Sequence, residues 1–316
     1  MRVRVLHHDH CFDGAASAAF FSRFLREKFH ADAEFLYRGM MHTPNQTWDP
    51  ALFDGDVNAI VDFKFAAQPK LSWWFDHHQS AFLTPEDAEY YKSRHSPQHY
   101  FDPRYRSCTM FIAVIAREKY DFRAPELNEL VEWADIIDGA RYANPHEAVE
   151  IKAPATQLVL VIEGSKNVDA VPYIIGKMQT TKLADIAADP RVQAEFRPLY
   201  ERHLESIGLI KSVSRNESGV VFFDLADQGV EGYNKFIPYY LFPDSVYTVS
   251  VLTAPFRTKI SVGSNPWVSE VRHNLASICE RYGGGGHPRV GAISFPREAV
   301  AEARGVAAEI VRELQG

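Results

Sequence analysis

The chain contains few cysteines and no long apolar run. Its 316 residues include three widely spaced cysteines, Cys11, Cys108 and Cys279, and this odd number argues against a disulfide framework. No stretch of about 18 consecutive apolar residues occurs, so we expect no membrane partner. The N-terminus leads directly into the strand-like residues 3–6. From these features we expect a cytoplasmic protein.

An excess of basic residues is also missing. The chain has 34 Lys and Arg against 41 Asp and Glu, which gives a net charge of −7. Proteins that hold long duplex nucleic acid mainly through its phosphates are more often basic, so we do not expect that partner. An acidic balance is compatible instead with a site that gathers carboxylates around divalent cations. The 46% hydrophobic content is ordinary for a soluble globular protein, and the length suggests two domains.

Three apolar runs in the first half of the chain end in residue types that bind metals. Residues 3–6 lead into the polar turn 7–14, which contains three histidines, two aspartates and a cysteine, and a helical pattern follows. A second run ends in Asp62, and the run 71–75 ends in Asp76-His77-His78. Strand, polar turn and helix in this order are typical of an open parallel sheet, whose sites lie at the carboxyl ends of the strands. We therefore expect a site there, although a single aspartate such as Asp62 is most often a turn residue or a helix cap.

A later helix supplies two further carboxylates. The apolar periodicity of residues 125–137 predicts a helix, with Asp135 and Asp138 near its end and Gly139 after it. Residues three apart share a helix face, so both carboxylates can point towards the same site. The alternative is a pair of solvated acids at a helix end.

The remaining patterns divide the chain. Residues 80–104 are polar, contain three prolines and are interpreted as a surface excursion, and Ser107 caps an apolar helix. Helical patterns then cover 168–179, 182–188 and 192–213, the last with a kink or break expected at Arg197-Pro198. Strand patterns follow at 220–225, 246–252, 258–262 and 290–295, with helices at about 269–282 and from 298. We therefore expect a first domain at 1–185, a helical linker at 186–215 and a smaller α/β domain at 216–316.

Four consecutive glycines, residues 283–286, precede His287 and Arg289. A glycine run has a high conformational entropy in the unfolded chain, so a plain loop is an unexpected use of it. Backbone N–H groups without side chains can approach a phosphate or carboxylate closely, and the two neighbouring basic side chains would strengthen such an anion site. A structural hinge is the alternative.

The chemistry of the strand ends favours hard divalent cations. Carboxylate oxygens mixed with imidazole suit Mn²⁺, Mg²⁺ or Fe²⁺ better than a thiolate-rich zinc site would. Two such cations about 3.5–4 Å apart, bridged by one aspartate, form the usual clamp for phosphoryl hydrolysis.

These motifs resemble those of the DHH phosphoesterase family, specifically its DHH/DHHA1 subgroup. Asp76-His77-His78 matches the motif that gives the family its name, and residues 283–287 resemble the glycine-rich motif of the DHHA1 domain. The resemblance covers almost the whole chain. It implies an α/β fold: an N-terminal doubly wound, mostly parallel sheet with helices on both faces, a helical linker, and a smaller C-terminal α/β domain.

The resemblance also implies an activity. Such a protein would be a phosphoesterase that hydrolyses a phosphodiester or phosphomonoester of a small nucleotide or short oligonucleotide. It would use two divalent metal ions, usually Mn²⁺, with Mg²⁺, Fe²⁺ or Zn²⁺ as alternatives. A homodimer is compatible with the sequence.

Site residues follow from the resemblance, position by position. The implied metal ligands are His8, Asp13, Asp62, His77 and Asp135, with His7 as the alternative to His8 and Asp138 as the alternative to Asp135. The implied catalytic residues are Asp76 and His78, where His78 contacts phosphate or water and Asp76 orients it. The implied substrate-binding residues are Gly284, Gly285, Gly286, His287 and Arg289.

Cys11 departs from the family pattern, because many relatives carry an aspartate two residues before the position of Asp13. Cys11 could ligate a metal through its thiolate, leave the first metal site short of a ligand, or pack as a small apolar group. A catalytically weakened nucleotide-binding regulatory module is therefore the alternative function. A purely structural interaction protein would not explain so many ligands at the strand ends.

Overall fold

The computed structural model describes residues 1–43, 46–230 and 232–316. The chain divides into two compact units. The first contains Met1–Arg141 and Lys152–Leu199, and the second contains Tyr142–Ile151 and Tyr200–Gly316. Among the described residues, no helix is long and apolar enough to span a membrane.

The first unit is built on a five-stranded parallel sheet, which confirms the predicted α/β class. Its strands are β1 (Arg2–His8), β2 (Glu34–Met40), β3 (Val57–Val61), β4 (Trp73–Asp76) and β5 (His99–Phe101). They lie in the order β2-β1-β3-β4-β5, and all neighbours are parallel. His7 pairs with Val61, and Val61 pairs with Phe75. The residues that follow these three positions therefore lie side by side at the carboxyl edge of the sheet.

Helices flank this sheet. In the first unit they are α1 (Phe12–Lys28), α2 (Pro85–Arg94), α3 (Cys108–Tyr120), α4 (Asn128–Asp138), α6 (Pro154–Gly164), α7 (Ala170–Met178) and α8 (Leu183–Ala187). The short helix α5 (Pro145–Val149) lies between α4 and α6 in the sequence and belongs to the second unit. Alternation along β1 sends Val3 and Val5 to one core and Leu6 to another on the opposite face. Most side chains of α1 are buried, many of them alanines, which lets the helix lie deep between the sheet and its neighbours.

The segment 80–104 is more ordered than the sequence suggests. It contains α2, which Thr84 caps by accepting the Asp87 N–H, and strand β5, which pairs with β4. A three-residue strand is too short to show periodicity, and its hydrogen-bond partners come from distant sequence. α2 has no buried residue, so its pattern is almost wholly polar.

The second unit carries a six-stranded mixed sheet in the order β10-β11-β9-β8-β7-β6. Its strands are β6 (Arg215–Glu217), β7 (Val220–Asp224), β8 (Tyr247–Ala254), β9 (Arg257–Ser264), β10 (Gly285–His287) and β11 (Val290–Phe295). Its other helices are α10 (Ile237–Leu241), α11 (Leu275–Glu280) and α12 (Val300–Gln315). Helix α9 (Pro190–Val213) covers most of the predicted linker and runs without a break through Pro198.

Candidate metal centre

The turn between β1 and α1 brings three potential ligands together. His8 ends β1, Cys11 is the N-cap of α1, and Asp13 lies in the first helical turn. The turn is tight, since a Cβ on Gly14 would lie 2.2 Å from the His8 carbonyl oxygen. Glycine is therefore required there for backbone approach.

The N-terminus of α3 fixes Asp13. This carboxylate is fully buried and accepts hydrogen bonds from the Cys108 N–H (2.6 Å), the Thr109 N–H (3.0 Å) and the Thr109 hydroxyl (2.6 Å). Burial raises the pKa of Asp13 well above its usual value, and the nearby carboxylates of Asp62 and Asp138 add to the shift. A cation beside Asp13 would stabilise its ionised form and so lower this pKa.

Asp62 lies at the centre of the cluster. It follows β3 with a φ of +57°, a left-handed conformation that Asp tolerates better than most residues, and its N–H donates to the Phe75 carbonyl at 2.9 Å. Its Oδ2 lies 3.5 Å from His8 Nδ1 and 3.7 Å from Cys11 Sγ, whereas its Oδ1 lies 3.3 Å from His77 Nε2. Burial raises the pKa of this carboxyl, but the imidazoles of His77 and His8 outweigh burial and hold it below its usual range.

His77 presents one particular nitrogen to the carboxylates. Its Nδ1 donates to the Tyr105 carbonyl at 3.1 Å, which leaves Nε2 facing Asp62, Asp138 (3.6 Å) and Asp13 (3.7 Å). Such a backbone partner is the usual way to fix the tautomer of a metal-ligating histidine. Burial lowers the pKa of His77, but the three surrounding carboxylates outweigh it and raise the pKa to about 10.

These donors form overlapping groups that fit divalent cations. The groups are His8–Cys11–Asp62, Asp62–His77–His78 and Asp13–His77–Asp138, and within each group the ligand atoms lie within 4.8 Å of one another. Three of the atoms are buried without a hydrogen-bond partner among the described residues: His8 Nδ1, Asp62 Oδ1 and His77 Nε2. Buried polar atoms are rarely left this way, and separations of 3.3–3.7 Å are long for hydrogen bonds but suit two ligands of one ion.

The structure separates the two aspartates of α4. Asp138 lies in the group with Asp13 and His77, whereas Asp135 forms an ion pair with Arg141 at 2.7 Å and lies outside all three groups. Both carboxylates were expected on one helix face. The Arg141 side chain, six residues after Asp135, forms an ion pair with the Asp135 carboxylate. The structure therefore brings Asp138, not Asp135, to the cluster of ligands.

Asp76 and His78 form a hydrogen-bonded pair, and His78 also belongs to one of the three ligand groups. Asp76 is fully buried at the end of β4, and its Oδ1 accepts the N–H groups of His77 (2.8 Å) and His78 (3.2 Å) together with Nδ1 of His78 (2.7 Å). Burial lowers the pKa of His78, but Asp76 outweighs it and raises the pKa overall. With Nδ1 occupied, the partly exposed His78 ring has Nε2 available for a ligand.

His7 does not join the cluster. Its ring is buried, its Nδ1 lies 3.0 Å from the His8 carbonyl oxygen, and burial lowers its pKa. Successive strand residues point to opposite faces, so His7 and His8 cannot both face the site.

One histidine that the sequence reasoning missed is His42, which lies just beyond β2. Its ring stacks on Phe63 with centroids 4.4 Å apart and lies 4.9 Å from the His8 ring and 6.4 Å from the His78 ring. Burial lowers the pKa of His42 to about 4, and the neighbouring cationic side chains add to this shift. Because β2 is the strand next to β1, a histidine after β2 was a possible signal, but no apolar run marked that strand end.

The second half of the glycine run, Gly285 and Gly286, lies in a strand, whereas Gly283 lies in the turn before it. Gly285–His287 forms β10, the edge strand, paired with β11. A Cβ on Gly284 would lie 2.3 Å from the Ala292 carbonyl oxygen, and one on Gly286 would lie 2.2 Å from that of Val290. Close backbone packing therefore accounts for these two glycines.

The Arg289 side chain forms hydrogen bonds within the second unit. Its guanidinium donates to the Asn265 carbonyl (2.7 Å), the Val268 carbonyl (2.8 Å) and the Ser264 hydroxyl (3.1 Å). These bonds fasten the segment after β9. Gly286 and His287 are exposed beside it.

Solved structures with the same fold were found, although the sequence matches no family model and no curated protein. One is the pGpG-specific phosphodiesterase PggH of Vibrio cholerae, with a TM-score of 0.70 and 17% identity over 99% of this chain and 100% of that one. Another is the DHH domain of a member of a ribosomal protein family, with a TM-score of 0.65 and 16% identity over 100% of this chain and 87% of that one. A third is RecJ of Thermus thermophilus in complex with Mn²⁺, with a TM-score of 0.55 and 14% identity over 99% of this chain and 52% of that one.

The matches cover both units of this chain. The fold of this chain is that of the DHH phosphoesterases.

Proposed function

We propose that this protein is a metal-dependent hydrolase that cleaves a phosphodiester or phosphomonoester in a small nucleotide or short oligonucleotide. The observation that carries the proposal is the position of Asp62, whose two oxygens face two different sets of ligands. A carboxylate placed this way is suited to bridge two cations. The fold shared with a pGpG-specific phosphodiesterase and with RecJ supports the same chemistry.

We assign the ligands to two ions according to their positions around Asp62. His8 and Asp62 would hold the first, and Asp13, Asp62, His77 and Asp138 would hold the second. Such ions supply Lewis-acid polarisation of a phosphoryl group and activation of a water molecule. Mn²⁺ and Mg²⁺ suit the oxygen-rich second set.

His78 acts on the substrate rather than on a metal. Asp76 accepts the Nδ1–H of His78 and stabilises the protonated ring, so Nε2 can donate a hydrogen bond or a proton to a phosphate oxygen. Asp76 is the positioning residue for this step, and its bonds to two backbone N–H groups shape the turn.

In the second unit, the exposed edge of β10 is the proposed substrate-binding surface. Gly286 and His287 lie on an edge strand, where backbone groups on the outer side are free of the ladder and can bind a ligand. Gly284, Gly285 and Arg289 contribute through the shape of this edge, since Arg289 fastens the neighbouring segment.

The test is a substrate panel with metal-free protein, with and without added Mn²⁺. The panel contains linear dinucleotides, cyclic dinucleotides, short oligonucleotides, nucleotide bisphosphates and polyphosphate. We expect turnover that requires the metal, on a nucleotide or short oligonucleotide. Tight nucleotide binding without turnover under every metal condition would instead support the regulatory binding module.

A further inference from the structure

We propose that Cys11 is a thiolate ligand and that the two metal positions are therefore chemically unequal. The group His8–Cys11–Asp62 would take a borderline ion such as Zn²⁺ or Fe²⁺, whereas Asp13–His77–Asp138 would take the harder Mn²⁺ or Mg²⁺. This inference rests on the metal centre proposed above and adds the identity of its ions.

The distances around Cys11 are those of ligands around a shared centre. Its Sγ lies 3.7 Å from Asp62 Oδ2, and the same oxygen lies 3.5 Å from His8 Nδ1. Ligands bound tetrahedrally at Zn–S and Zn–N lengths of about 2.0–2.3 Å lie about 3.3–3.6 Å apart. The observed separations are within a few tenths of an ångström of these values before any ion has drawn the ligands together.

Burial and the carboxylates of Asp62 and Asp13 raise the pKa of the Cys11 thiol, so a bound cation must displace its proton, and the local backbone assists by favouring negative charge on the sulfur. Cys11 is the N-cap of α1, a helix of 17 residues, and its Sγ accepts the Gly14 N–H at 3.5 Å. An N-terminal position and a hydrogen-bond donor both stabilise a thiolate. When an ion binds, the thiol proton passes to solvent and the sulfur–metal bond forms.

Packing as a small apolar group explains Cys11 less well. Its sulfur lies against the Asp62 carboxylate, beside the buried His8 Nδ1 that has no hydrogen-bond partner among the described residues. Cys108 shows the contrast: it is fully buried and its Sγ donates to a backbone carbonyl, that of Phe75, at 3.4 Å, whereas Cys11 is partly exposed and its Sγ donates to the Asp62 carboxylate at 3.7 Å. Asp62 is 1% exposed, and among the described residues its ion pairs are with imidazoles, including those of His8 and His77, rather than with lysine or arginine.

The two groups differ in their softest donor. The group around Cys11 offers one sulfur, one imidazole and one carboxylate oxygen, whereas the group around Asp13 offers two carboxylate oxygens and one imidazole. Thiolate favours Zn²⁺ and Fe²⁺, and carboxylate-rich sites favour Mn²⁺ and Mg²⁺. A single added metal would therefore fill the two positions with different affinities.

The experiment loads metal-free protein with Co²⁺ and records its absorption. Co²⁺ bound to a thiolate gives a near-ultraviolet charge-transfer band that oxygen and nitrogen ligands do not give. Cys11→Ser is the main variant, because serine is a preferred N-cap and keeps α1 capped, which alanine would not. Cys108→Ser is the matched control, since it removes a neighbouring thiol outside the three groups.

We expect the band in the wild type and in Cys108→Ser and its loss in Cys11→Ser, which should still bind the second ion. Loss of a residue that only supports a ligand costs about 10- to 100-fold in metal affinity, so Cys11→Ser should weaken Zn²⁺ binding at one position by at least about 100-fold. Cys11→Asp should move the preference of that position towards Mn²⁺.

Each other result overturns the inference. If the wild type binds Co²⁺ and hydrolyses a phosphodiester but shows no band, Cys11 is not a ligand and the proposed function stands. If the band persists in Cys11→Ser, another thiol is responsible. If the folded wild type binds no divalent ion, the proposed metal centre fails together with this inference.

Discussion

Oδ1 of Asp62 lies 3.3 Å from Nε2 of His77, and both atoms are buried without a hydrogen-bond partner among the described residues. Backbone geometry holds both side chains in place: Asp62 through its N–H bond to the Phe75 carbonyl, and His77 through its bond to the Tyr105 carbonyl. Buried polar atoms that are held in place by the backbone but have no hydrogen-bond partner are expected at a metal-binding site. The predictions below concern this centre and its surroundings.

The two aspartates of α4 should behave differently. Asp138→Ala should lower the metal content and the turnover, because Asp138 lies 3.6 Å from His77 Nε2. Asp135→Ala, three residues away on the same helix, should leave the metal content unchanged because that carboxylate pairs with Arg141. Elemental analysis of both purified variants decides between them, and the reverse pattern would restore Asp135 as the ligand.

His78→Ala should reduce turnover without removing metal. His78 is the proposed general acid, its partly exposed ring is positioned by Asp76, and general acid catalysis typically contributes about 10²–10⁴-fold. We expect kcat to fall within that range while metal content stays at the wild-type level. Metal loss in parallel with activity would instead make His78 a ligand.

Arg289→Ala should destabilise the second unit. The guanidinium holds the carbonyls of Asn265 and Val268, and losing hydrogen bonds to a charged group costs about 1–3 kcal/mol. Thermal unfolding should show this loss, whereas His287→Ala, at an exposed position, should unfold like the wild type. An unchanged unfolding temperature in Arg289→Ala, with a raised KM alone, would assign Arg289 to the substrate.

His99 should make stability pH-dependent. Its Nδ1 accepts the Ser96 N–H and its Nε2–H donates to the Leu71 carbonyl, so the buried ring fits only in its neutral form, and burial lowers its pKa. Since the folded pKa lies below the unfolded value of 6.5, this residue's contribution is complete above pH 6.5 and is lost as pH falls from there to the folded pKa.

The matching variant is His99→Gln, which keeps a donor for Leu71 and does not titrate. Urea unfolding at several pH values between about 7 and 5, on either side of the ordinary histidine pKa, should show a smaller loss of stability in the variant than in the wild type. The metal ligands titrate in both proteins and cancel in the comparison. Equal slopes would mean that His99 does not cause the pH dependence.

The sequence predicted the parallel sheet and the meeting of its strand ends because both follow from apolar runs that end in polar residues. Asp62 shows this well, since it was expected at the site as one of three strand ends, and the pairing of Val61 with Phe75 brings it beside Asp76. β5 was missed because three residues carry no pattern of their own.

The details of the site depend on contacts that sequence spacing does not encode. Asp135 and Asp138 lie three residues apart on one helix, but Asp135 pairs with Arg141 and Asp138 lies with Asp13 and His77. His42 lies beside His8 because β2 is the neighbour of β1 in the sheet, and the order of the strands in a sheet does not follow from their order in the sequence. Gly284 and Gly286 are required because the carbonyl oxygens of Ala292 and Val290 leave no room for a Cβ, which is a tertiary constraint.

The metal content of Asp62→Ala tests the central claim most directly. After loading with divalent metal and desalting, the wild type should hold two ions per chain, and the variant should lose both because the bridging carboxylate is gone. Turnover of a phosphodiester should fall by several orders of magnitude in parallel, with Asp135→Ala as the control that retains both. Wild-type metal content and activity in Asp62→Ala would contradict the account.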